Sequence, residues 1–190
     1  KALNVEWEKT STLESTAGHY EAITKLLNTT SKEPARKDGN VASAFKKAAQ
    51  IIERTYSAPF LAHNTMEPMN FYADVTGERA ILNGPIQTPE FLEKTLASRL
   101  DLPLEKIDIK MTRMGGGFGR RLYGTFGVEA AVISQKMQTP IKLVYTREDD
   151  MTQGTYRPTY KVKYKAGLDK DGNLIFRNEC YNWRMACTAI

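Results

Sequence analysis

The sequence predicts an α+β fold in which helices pack against a mixed β-sheet. Several segments repeat apolar residues at helical spacing, whereas shorter ones alternate apolar and polar residues as half-buried strands do. One alternating segment turns at Asp171-Gly172, a dipeptide that is typical of β-hairpins. Because helix-like and strand-like segments follow each other along the chain, we expect β-α-β connections beside the hairpin, and a sheet with both strand directions.

The first 62 residues predict a strand and then helical segments. "LNVEWE" alternates apolar and polar residues from Leu3 to Trp7, which predicts the strand. Residues 18–30 carry apolar residues at helical spacing and predict a helix. Asn40 is the predicted N-cap of a helix or strand-entry segment over residues 41–56.

The next region predicts a helix followed by a strand. Proline is favoured at the first helical position, so Thr88 is the predicted N-cap of a helix over residues 89–102. Residues 105–114 alternate and predict a half-buried strand. The side chains expected to face inward are Phe91, Leu92, Thr95, Leu96 and Leu100 in the helix, and Ile107, Ile109 and Met111 in the strand.

The last third predicts a helix, a strand and the hairpin. "TFGVEAAVISQKMQ" (125–138) has the apolar pattern of a helix, and "PIKLVYT" (140–146) that of a strand. The hairpin is predicted over residues 160–179, with its turn at Asp171-Gly172.

The composition is that of a globular protein with a mild positive charge. Of 190 residues, 41% are hydrophobic and 26% are charged, and 27 basic against 22 acidic residues give a net charge of +5. The basic residues are spread along the chain, whereas nucleic-acid-binding proteins usually concentrate them. We therefore expect no nucleic-acid partner. Attraction of an anionic ligand or an acidic partner subunit stays an alternative to a solvated basic surface.

Two cysteines, Cys180 and Cys187, are too few for a metal site of their own. A zinc site takes about four ligands, and an iron–sulfur cluster takes about four cysteines. Buried thiols and a disulfide both fit the sequence.

Neither a membrane span nor a signal peptide is predicted. No stretch approaches the roughly 18 consecutive apolar residues of a membrane helix. The chain begins at Lys1 without methionine and ends on the apolar-rich "WRMACTAI". These features predict a piece of a longer polypeptide, and they leave the compartment, bacterial cytoplasm or periplasm, undetermined.

The sharpest local feature is "RMGGGFGRRLYG", Arg113 to Gly124, which places four glycines within five residues. It lacks the lysine and hydroxyl pair of the nucleotide P-loop, and it fails the G-x-G-x-x-G spacing of dinucleotide sites. Two interpretations stay open. The glycines let a ligand approach the main chain closely, with Phe118 held against it, or the segment is a tight turn with Phe118 plugging the core.

Three further motifs accompany the glycine cluster: "HNTMEP" at 63–68, "GPIQTP" at 84–89, and "YTREDDM" at 145–151 followed by "YRP" at 156–158. In this order, the four motifs resemble the molybdenum hydroxylases, the xanthine dehydrogenase and aldehyde oxidase family, in their molybdopterin-binding large subunit. "GGGFGRR", "MEPMN" and "REDDM" are most similar to the branch of isoquinoline 1-oxidoreductase β-subunits. The resemblance runs from about residue 56 to residue 173.

The resemblance implies that residues 56–190 form the first part of a molybdopterin-binding domain. Residues 1–55 would then be the end of a preceding small α/β domain and a linker. It also implies that the Gln87 amide donates a hydrogen bond to an oxo ligand of molybdenum, and that no side chain here binds the metal directly. The main chain around Gly116, Gly117, Phe118 and Gly119 would line the molybdenum centre, where Phe118 would limit the substrate pocket.

For Arg120 and Arg121 the sequence leaves two roles open. Arginine suits bidentate contact with phosphate, so both residues could face the pyrophosphate of the cofactor. They could equally form ion pairs with Glu148, Asp149 and Asp150.

Other positions limit what the resemblance implies. Purine-oxidising members carry a glutamate where this chain has Leu122, so we expect a less polar heteroaromatic or an aldehyde as substrate. The family's catalytic base would lie beyond Ile190. Glu67 and Glu129 are expected to be structural, and His63 is expected to be a hydrogen-bonded packing residue.

The reaction implied for the parent protein is the hydroxylation of an N-heteroaromatic or aldehyde carbon with oxygen from water. The implied cofactor is molybdenum-molybdopterin, in the simple or the cytosine dinucleotide form. The [2Fe–2S] clusters that carry electrons away would sit on a partner, an iron–sulfur small subunit. The present chain alone is expected to be inactive. The alternative is a binding or scaffold module that keeps the fold without the cofactor.

Overall fold

The computed structural model describes residues 15–29, 36–181 and 186–189, together with Asn4, Glu6 and Glu8. The strand predicted from Leu3 to Trp7 therefore lies outside the described residues. Two compact units are present: unit 1 is Lys1–Pro59 with Pro158–Ile190, and unit 2 is Phe60–Arg157. The domain boundary expected after residue 55 concerns the parent protein and stays a prediction.

Unit 1 is a five-stranded sheet against which two helices pack. Strand order is β1-β9-β8-β7-β2; β1 and β9 are parallel, and the other neighbours are antiparallel. Helices α1 and α2 contact β7 and β8. The elements are α1 (Thr16–Leu27), β1 (Arg36–Lys37), α2 (Val41–Lys47), β2 (Gln50–Ala58), β7 (Tyr160–Leu168), β8 (Leu174–Tyr181) and β9 (Ala186–Ala189).

Local sequence explains where these helices and strands begin. Asn40 caps α2 as predicted, since its side chain accepts a hydrogen bond from Ser43 N at 3.0 Å. The segment that follows contains both predicted elements, a helix and a strand. Helix α2 ends at Lys47, and β2 begins at Gln50, just before the β-branched pair Ile51 and Ile52. The predicted hairpin is confirmed as β7 and β8, and Cys180 lies opposite Cys187 in the register of β8 with β9.

Unit 2 is a four-stranded mixed sheet in the order β5-β4-β3-β6. Strands β4 and β5 are parallel, and the other neighbours are antiparallel, which confirms the predicted α+β class and mixed sheet. The elements are β3 (Asn70–Val75), β4 (Ala80–Gly84), α3 (Pro89–Leu100), a 3₁₀ turn (Leu104–Lys106), β5 (Ile107–Met111), α4 (Thr125–Met137), β6 (Ile141–Val144) and α5 (Arg147–Thr152).

The core of unit 2 lies between the sheet and the helices α3 and α4. Alternate residues of β3 and β4 face it, as the two-residue strand period requires. Its fully buried members are Met69, Phe71, Ala73, Ala80, Leu82, Ile86, Leu92, Leu96, Phe126, Ala130 and Ala131. This core fixes the strand ends from which the site residues emerge.

Three of the predicted inward positions are wrong. The buried stripe of α3 is Leu92, Leu96 and Leu100, whereas Phe91 is 56% exposed and Thr95 is exposed. One residue along a helix turns the side chain by about 100°, so the neighbours of a buried leucine leave the interface. Met111 is also exposed, because it ends β5, an edge strand. Among the described helices, none combines the length and apolar character needed to cross a membrane.

Candidate functional site

The glycine loop, Gly115–Gly119, lies in unit 2 between β5 and α4. Its main chain is left-handed at Gly116 (φ 100°), Phe118 (φ 51°) and Gly119 (φ 93°). The Phe118 side chain is 66% exposed. A core plug is therefore excluded, and the ring is presented at the surface of unit 2.

Because the glycines of this loop lack side chains, neighbouring side chains occupy the space where a Cβ atom would stand. A Cβ added to Gly117 would lie 2.6 Å from Gln87 Oε1 and 2.7 Å from Gln87 Cδ. One added to Gly115 would lie 2.5 Å from Glu67 Cβ, and one added to Gly116 would lie 2.9 Å from Phe118 Cε2. The glycine cluster thus lets Gln87, Glu67 and Phe118 pack directly on the main chain.

Gln87 follows β4 and is held against the loop at two points. Its N–H donates to Arg121 O at 3.0 Å, and its Oε1 accepts from Gly119 N at 3.1 Å. Its Nε2 has no hydrogen-bond partner among the described residues. The orientation of this exposed amide is therefore fixed through its acceptor, while its donor stays available.

The loop offers further donors. The main-chain N–H groups of Gly116, Gly117 and Phe118 have no hydrogen-bond partner within the described part of the chain, whereas Gly119 N bonds to Gln87 and Arg120 N donates to Gly117 O. Unpaired N–H groups on a glycine-rich turn suit an oxygen-rich or anionic ligand.

Arg121 is a buried hub beside the loop, with a side chain that is 0% exposed. Its Nε donates to Gly116 O at 2.8 Å. Its Nη2 donates to the main-chain oxygen of Glu67 at 2.8 Å and to Glu67 Oε2 at 3.1 Å. Arg121 therefore pairs with Glu67, not with any of the three acids that the sequence suggested.

Arg120 does pair with one of those acids. Its Nε lies 3.8 Å from Asp150 Oδ1 in a buried pair, and its Nη2 donates to Gln153 O at 3.2 Å. Gly154 (φ 86°) makes room for the guanidinium, since a Cβ there would lie 2.6 Å from Arg120 Nη2. Both arginines are committed to protein contacts, and contact with a pyrophosphate stays a prediction.

The "HNTMEP" segment is tied to the rest of unit 2 by Arg147 and is braced internally by Thr65, two residues that the sequence did not single out. Arg147 donates to Thr65 O at 2.7 Å and to Met66 O at 2.8 Å, and its Nη1 lies 3.4 Å from Asp150 Oδ2. The buried Thr65 donates its hydroxyl to Glu67 O at 2.7 Å. Arg147 belongs to the "REDD" motif, so the sequence could have marked it as a candidate. Its partner Thr65 could not be predicted, because it lies about 80 residues away in sequence.

Glu67 has the structural role predicted for it. Its Oε2 accepts from Gly115 N at 2.7 Å, and its Oε1 accepts from Asn70 Nδ2 at 2.8 Å. Burial acts to raise its pKa, but the hydrogen bonds from Gly115 and Asn70 and the charge of Arg121 outweigh burial and lower the pKa below its ordinary value. The carboxylate is therefore ionised at neutral pH.

His63 packs beside the same loop. It packs as expected, but the expected hydrogen bond is absent at Nδ1, which is buried without a partner among the described residues. Its Nε2 lies 3.6 Å from where a Cβ on Gly119 would stand. Burial and the nearby cations Arg120 and Arg157 lower the pKa of His63, against an opposing effect of Asp150. The imidazole is neutral at pH 7.

Leu122 and Glu129 were also considered from the sequence, and the structure gives them different surroundings. Leu122 is beside it: its Cδ1 is 3.8 Å from the Cβ position of Gly119, and its main-chain oxygen accepts from the Thr88 hydroxyl. Glu129 instead accepts a hydrogen bond from the Tyr145 hydroxyl, and burial together with that bond raises the pKa of Tyr145. No group of three or more His, Cys, Asp or Glu side chains that could hold a metal ion occurs among the described residues.

Comparison with known proteins connects this geometry to a family. Residues 24–181 match the family model of the molybdopterin cofactor-binding domain. The chain is 34% identical over 154 residues to aldehyde oxidase 2 of Rattus norvegicus, which covers 78% of this chain and 11% of that protein. It is 32% identical over 139 residues to the nicotinate dehydrogenase large molybdopterin subunit of Eubacterium barkeri, covering 72% of this chain and 32% of that one.

A solved structure shows the same fold. Quinoline 2-oxidoreductase from Pseudomonas putida 86 superposes with a TM-score of 0.65 at 20% identity, covering 77% of this chain and 19% of that chain. The present chain thus spans between about a tenth and a third of the length of these three proteins.

Proposed function

Because the chain belongs to the molybdopterin cofactor-binding domain family, we propose that it supplies one wall of the cofactor site in the large subunit of a molybdenum hydroxylase. The observation that carries the proposal is the state of Gln87. Its acceptor oxygen is fixed by Gly119 N, and its donor Nε2 has no partner among the residues that the structure describes. An amide held in this way presents an N–H to an oxygen ligand without adding charge or coordinating a metal.

The residues present fit such a group. Gly116, Gly117 and Gly119 keep the main chain open, and the same loop carries N–H groups that have no partner in the described part of the chain. When bound, the molybdenum cofactor supplies two-electron oxidation of a substrate carbon with oxygen from water. The side chains would hold and orient the cofactor: Gln87 would donate a hydrogen bond to one of its oxygens, and the exposed Phe118 ring would limit the space for substrate.

The substrate that we propose is an aldehyde or an N-heteroaromatic, with an isoquinoline-like ring among the candidates. Relatives of this chain are named for aldehydes and for nicotinate, a pyridine carboxylate. Leu122 beside Gly119 gives the loop an apolar side chain, which favours a less polar substrate than a purine. The cytosine dinucleotide form of the cofactor is part of the proposal. An iron–sulfur partner subunit is also part of it, because this chain has only two cysteines, too few for the clusters.

The first experiment uses the full-length protein purified from its native host. We expect about one molybdenum per large subunit by elemental mass spectrometry, and faster oxidation of aldehydes or N-heteroaromatics than of xanthine or hypoxanthine. Molybdenum-free protein, or preferred oxidation of purines, would contradict the proposal. Turnover by the isolated 190-residue chain would contradict its predicted inactivity.

The second experiment tests Gln87 with an isosteric change. Gln87→Glu keeps an oxygen that can accept from Gly119 N but replaces the Nε2 donor by a carboxylate oxygen. Loss of a donor aimed at a charged oxygen costs about 10²-fold in rate. The matched control is Gln135→Glu on α4, which we expect to keep the wild-type rate. Equal rates in both variants would remove Gln87 from the site.

A further inference from the structure

Arg121 joins three separate stretches of the chain at the candidate site. Its guanidinium holds Gly116 O through Nε at 2.8 Å and the main-chain oxygen of Glu67 through Nη2 at 2.8 Å. Its own main-chain oxygen accepts from Gln87 N at 3.0 Å. A single buried residue therefore touches the glycine loop, the "HNTMEP" segment and Gln87, two residues before α3 begins.

Glu67 completes this arrangement from the opposite side. Its carboxylate contacts Arg121 Nη2 at 3.1 Å and accepts from Gly115 N at 2.7 Å. Its main-chain N–H donates to Gly115 O at 3.1 Å. Glu67 thus fixes both polar groups of Gly115 and orients the arginine that holds Gly116.

The geometry of the peptide bond converts these contacts into the direction of the loop's donors. In a planar trans peptide, the carbonyl of one residue and the N–H of the next point in opposite directions. Because Gly115 O faces Glu67 N, the Gly116 N–H must point away from Glu67 N. Because Gly116 O faces Arg121, the Gly117 N–H must point away from the Arg121 guanidinium. These are the groups that have no partner among the described residues.

We propose that Arg121 and Glu67 are a positioning pair that turns the Gly116 and Gly117 N–H groups outward and anchors Gln87 at the same time. The proposal rests on the proposed function, since those groups are the ones that would meet the cofactor. It takes the place of the pairing with the "REDD" acids that the sequence left open for Arg121.

The pair requires arginine, not only a positive charge. The planar guanidinium presents several N–H groups in a fixed fork, so it reaches Gly116 O and Glu67 together. A lysine ammonium is a compact charge at the end of a flexible stem and cannot hold both oxygens in this geometry. Arg121→Lys therefore keeps the charge but loses the paired hydrogen bonds to Gly116 O and Glu67 O.

The test uses the full-length protein and two variants, Glu67→Gln and Arg121→Lys. Glu67 is the safer position because its side chain is 34% exposed, so Glu67→Gln decides the question if Arg121→Lys fails to fold. The control is Asp108→Asn, which breaks an exposed pair with Lys110 on β5. Hydrogen exchange of peptides over residues 113–124 and 84–88, the molybdenum content, and kcat and KM are measured separately.

We expect both variants to speed exchange within these two peptides and to leave the rest of unit 2 at the rate of the control. We also expect kcat to fall by about 10- to 100-fold, the usual range for residues that orient a metal site from its second layer of contacts. Exchange and kcat equal to those of Asp108→Asn would overturn the proposal, and so would an increase in exchange spread evenly over unit 2. If the wild-type protein lacks molybdenum, the proposed function fails, and the exchange rates still decide whether the pair positions the loop.

Discussion

Two glycine-containing turns of this protein use glycine for opposite reasons. In the hairpin turn of unit 1, Gly172 has φ 83°, and a Cβ added there would meet nothing within 4 Å. In the glycine loop of unit 2, Gly117 is outside the left-handed region, yet a Cβ there would lie 2.6 Å from Gln87 Oε1. The first glycine serves the backbone angle alone, and the second serves a contact with a distant side chain.

The polar contacts of the two turns differ in the same way. The hairpin turn is satisfied locally: the Asp169 carboxylate accepts from Asp171 N at 2.9 Å and from Asn173 N at 2.8 Å. The glycine loop is held by Glu67 and Gln87, which are 48 and 32 residues away from the groups they bind. The glycine loop is thus fixed by distant residues, and its Gly116 and Gly117 N–H groups have no partner among the described residues.

The strongest test of this difference is Gly117→Ala. The methyl group would displace the Gln87 amide and break its bond with Gly119 N, although the backbone angle suits alanine. A misplacement of about 1 Å in an active site costs on the order of 10²-fold in rate. We expect that loss in kcat/KM of the full-length enzyme with little change in thermal stability. Wild-type kinetics would show that Gln87 does not need the glycine.

Phe118→Ala is expected to have a smaller effect, on substrate recognition. The ring is 66% exposed, so its removal creates no cavity in the core of unit 2. If it limits the substrate pocket, KM for aromatic substrates should change by about tenfold, which corresponds to about 1.4 kcal/mol. Steady-state kinetics with a small aliphatic and a bulky aromatic aldehyde would separate the two substrate sizes. Loss of stability without a change in KM would contradict this role.

The features that the sequence predicted depend on local contacts, whereas the contacts of the candidate site, which it did not predict, depend on distant residues. The hairpin, the Asn40 cap and helix α4 depend on residues close in sequence, and the pattern predicted them. Helix α5 was missed because its six residues, Arg147–Thr152, are too few for a periodic pattern. Its capping box, Thr146 with Asp149, was the readable signal.

The candidate site was found through motifs and not through contacts. Gln87 and Phe118 were named because "GPIQTP" and "GGGFG" resemble a family, and the structure places Gln87 on the loop. The pairing of Arg121 with Glu67 could not be predicted, because the two residues are 54 positions apart and the nearer acids of "REDD" were equally charged. Only the folded chain decides which carboxylate reaches a buried arginine.

Gly172→Ala should destabilise only the hairpin. A left-handed backbone costs an L-residue about 1–2 kcal/mol, so we expect a local loss of about 1 kcal/mol and unchanged activity. Hydrogen exchange of peptides over residues 160–177 would measure it. Gly172→Asn is the matched control, since asparagine adopts this conformation more readily and should lose less. A fall in activity with either variant would link the hairpin turn to the site.

The smallest expected effect is a difference between the two turns in how their stability depends on pH. The folded-state pKa of His63 is lowered from 6.5, so the unfolded chain binds the proton first as the pH falls. Stability then declines as the pH drops from about 6.5 through the folded pKa, and it is fully present above that range. The pKa of Asp169 is lowered from 3.8 by its hydrogen bonds with Asn173 and with main-chain N–H groups of the turn. The stability that Asp169 contributes is therefore lost only as the pH falls below 3.8.

Hydrogen exchange at about pH 7.5 and about pH 5.5 separates the two groups, once intrinsic rates are corrected, because of the two only His63 has an unfolded-state pKa inside that window. Peptides over residues 113–124 should lose protection at the lower pH, and those over residues 160–177 should not. His63→Gln removes the titrating group, so the loop's dependence should disappear with it. A dependence that persists in His63→Gln, or that affects the hairpin equally, would show that the glycine loop owes its pH response to something other than the imidazole packed against Gly119.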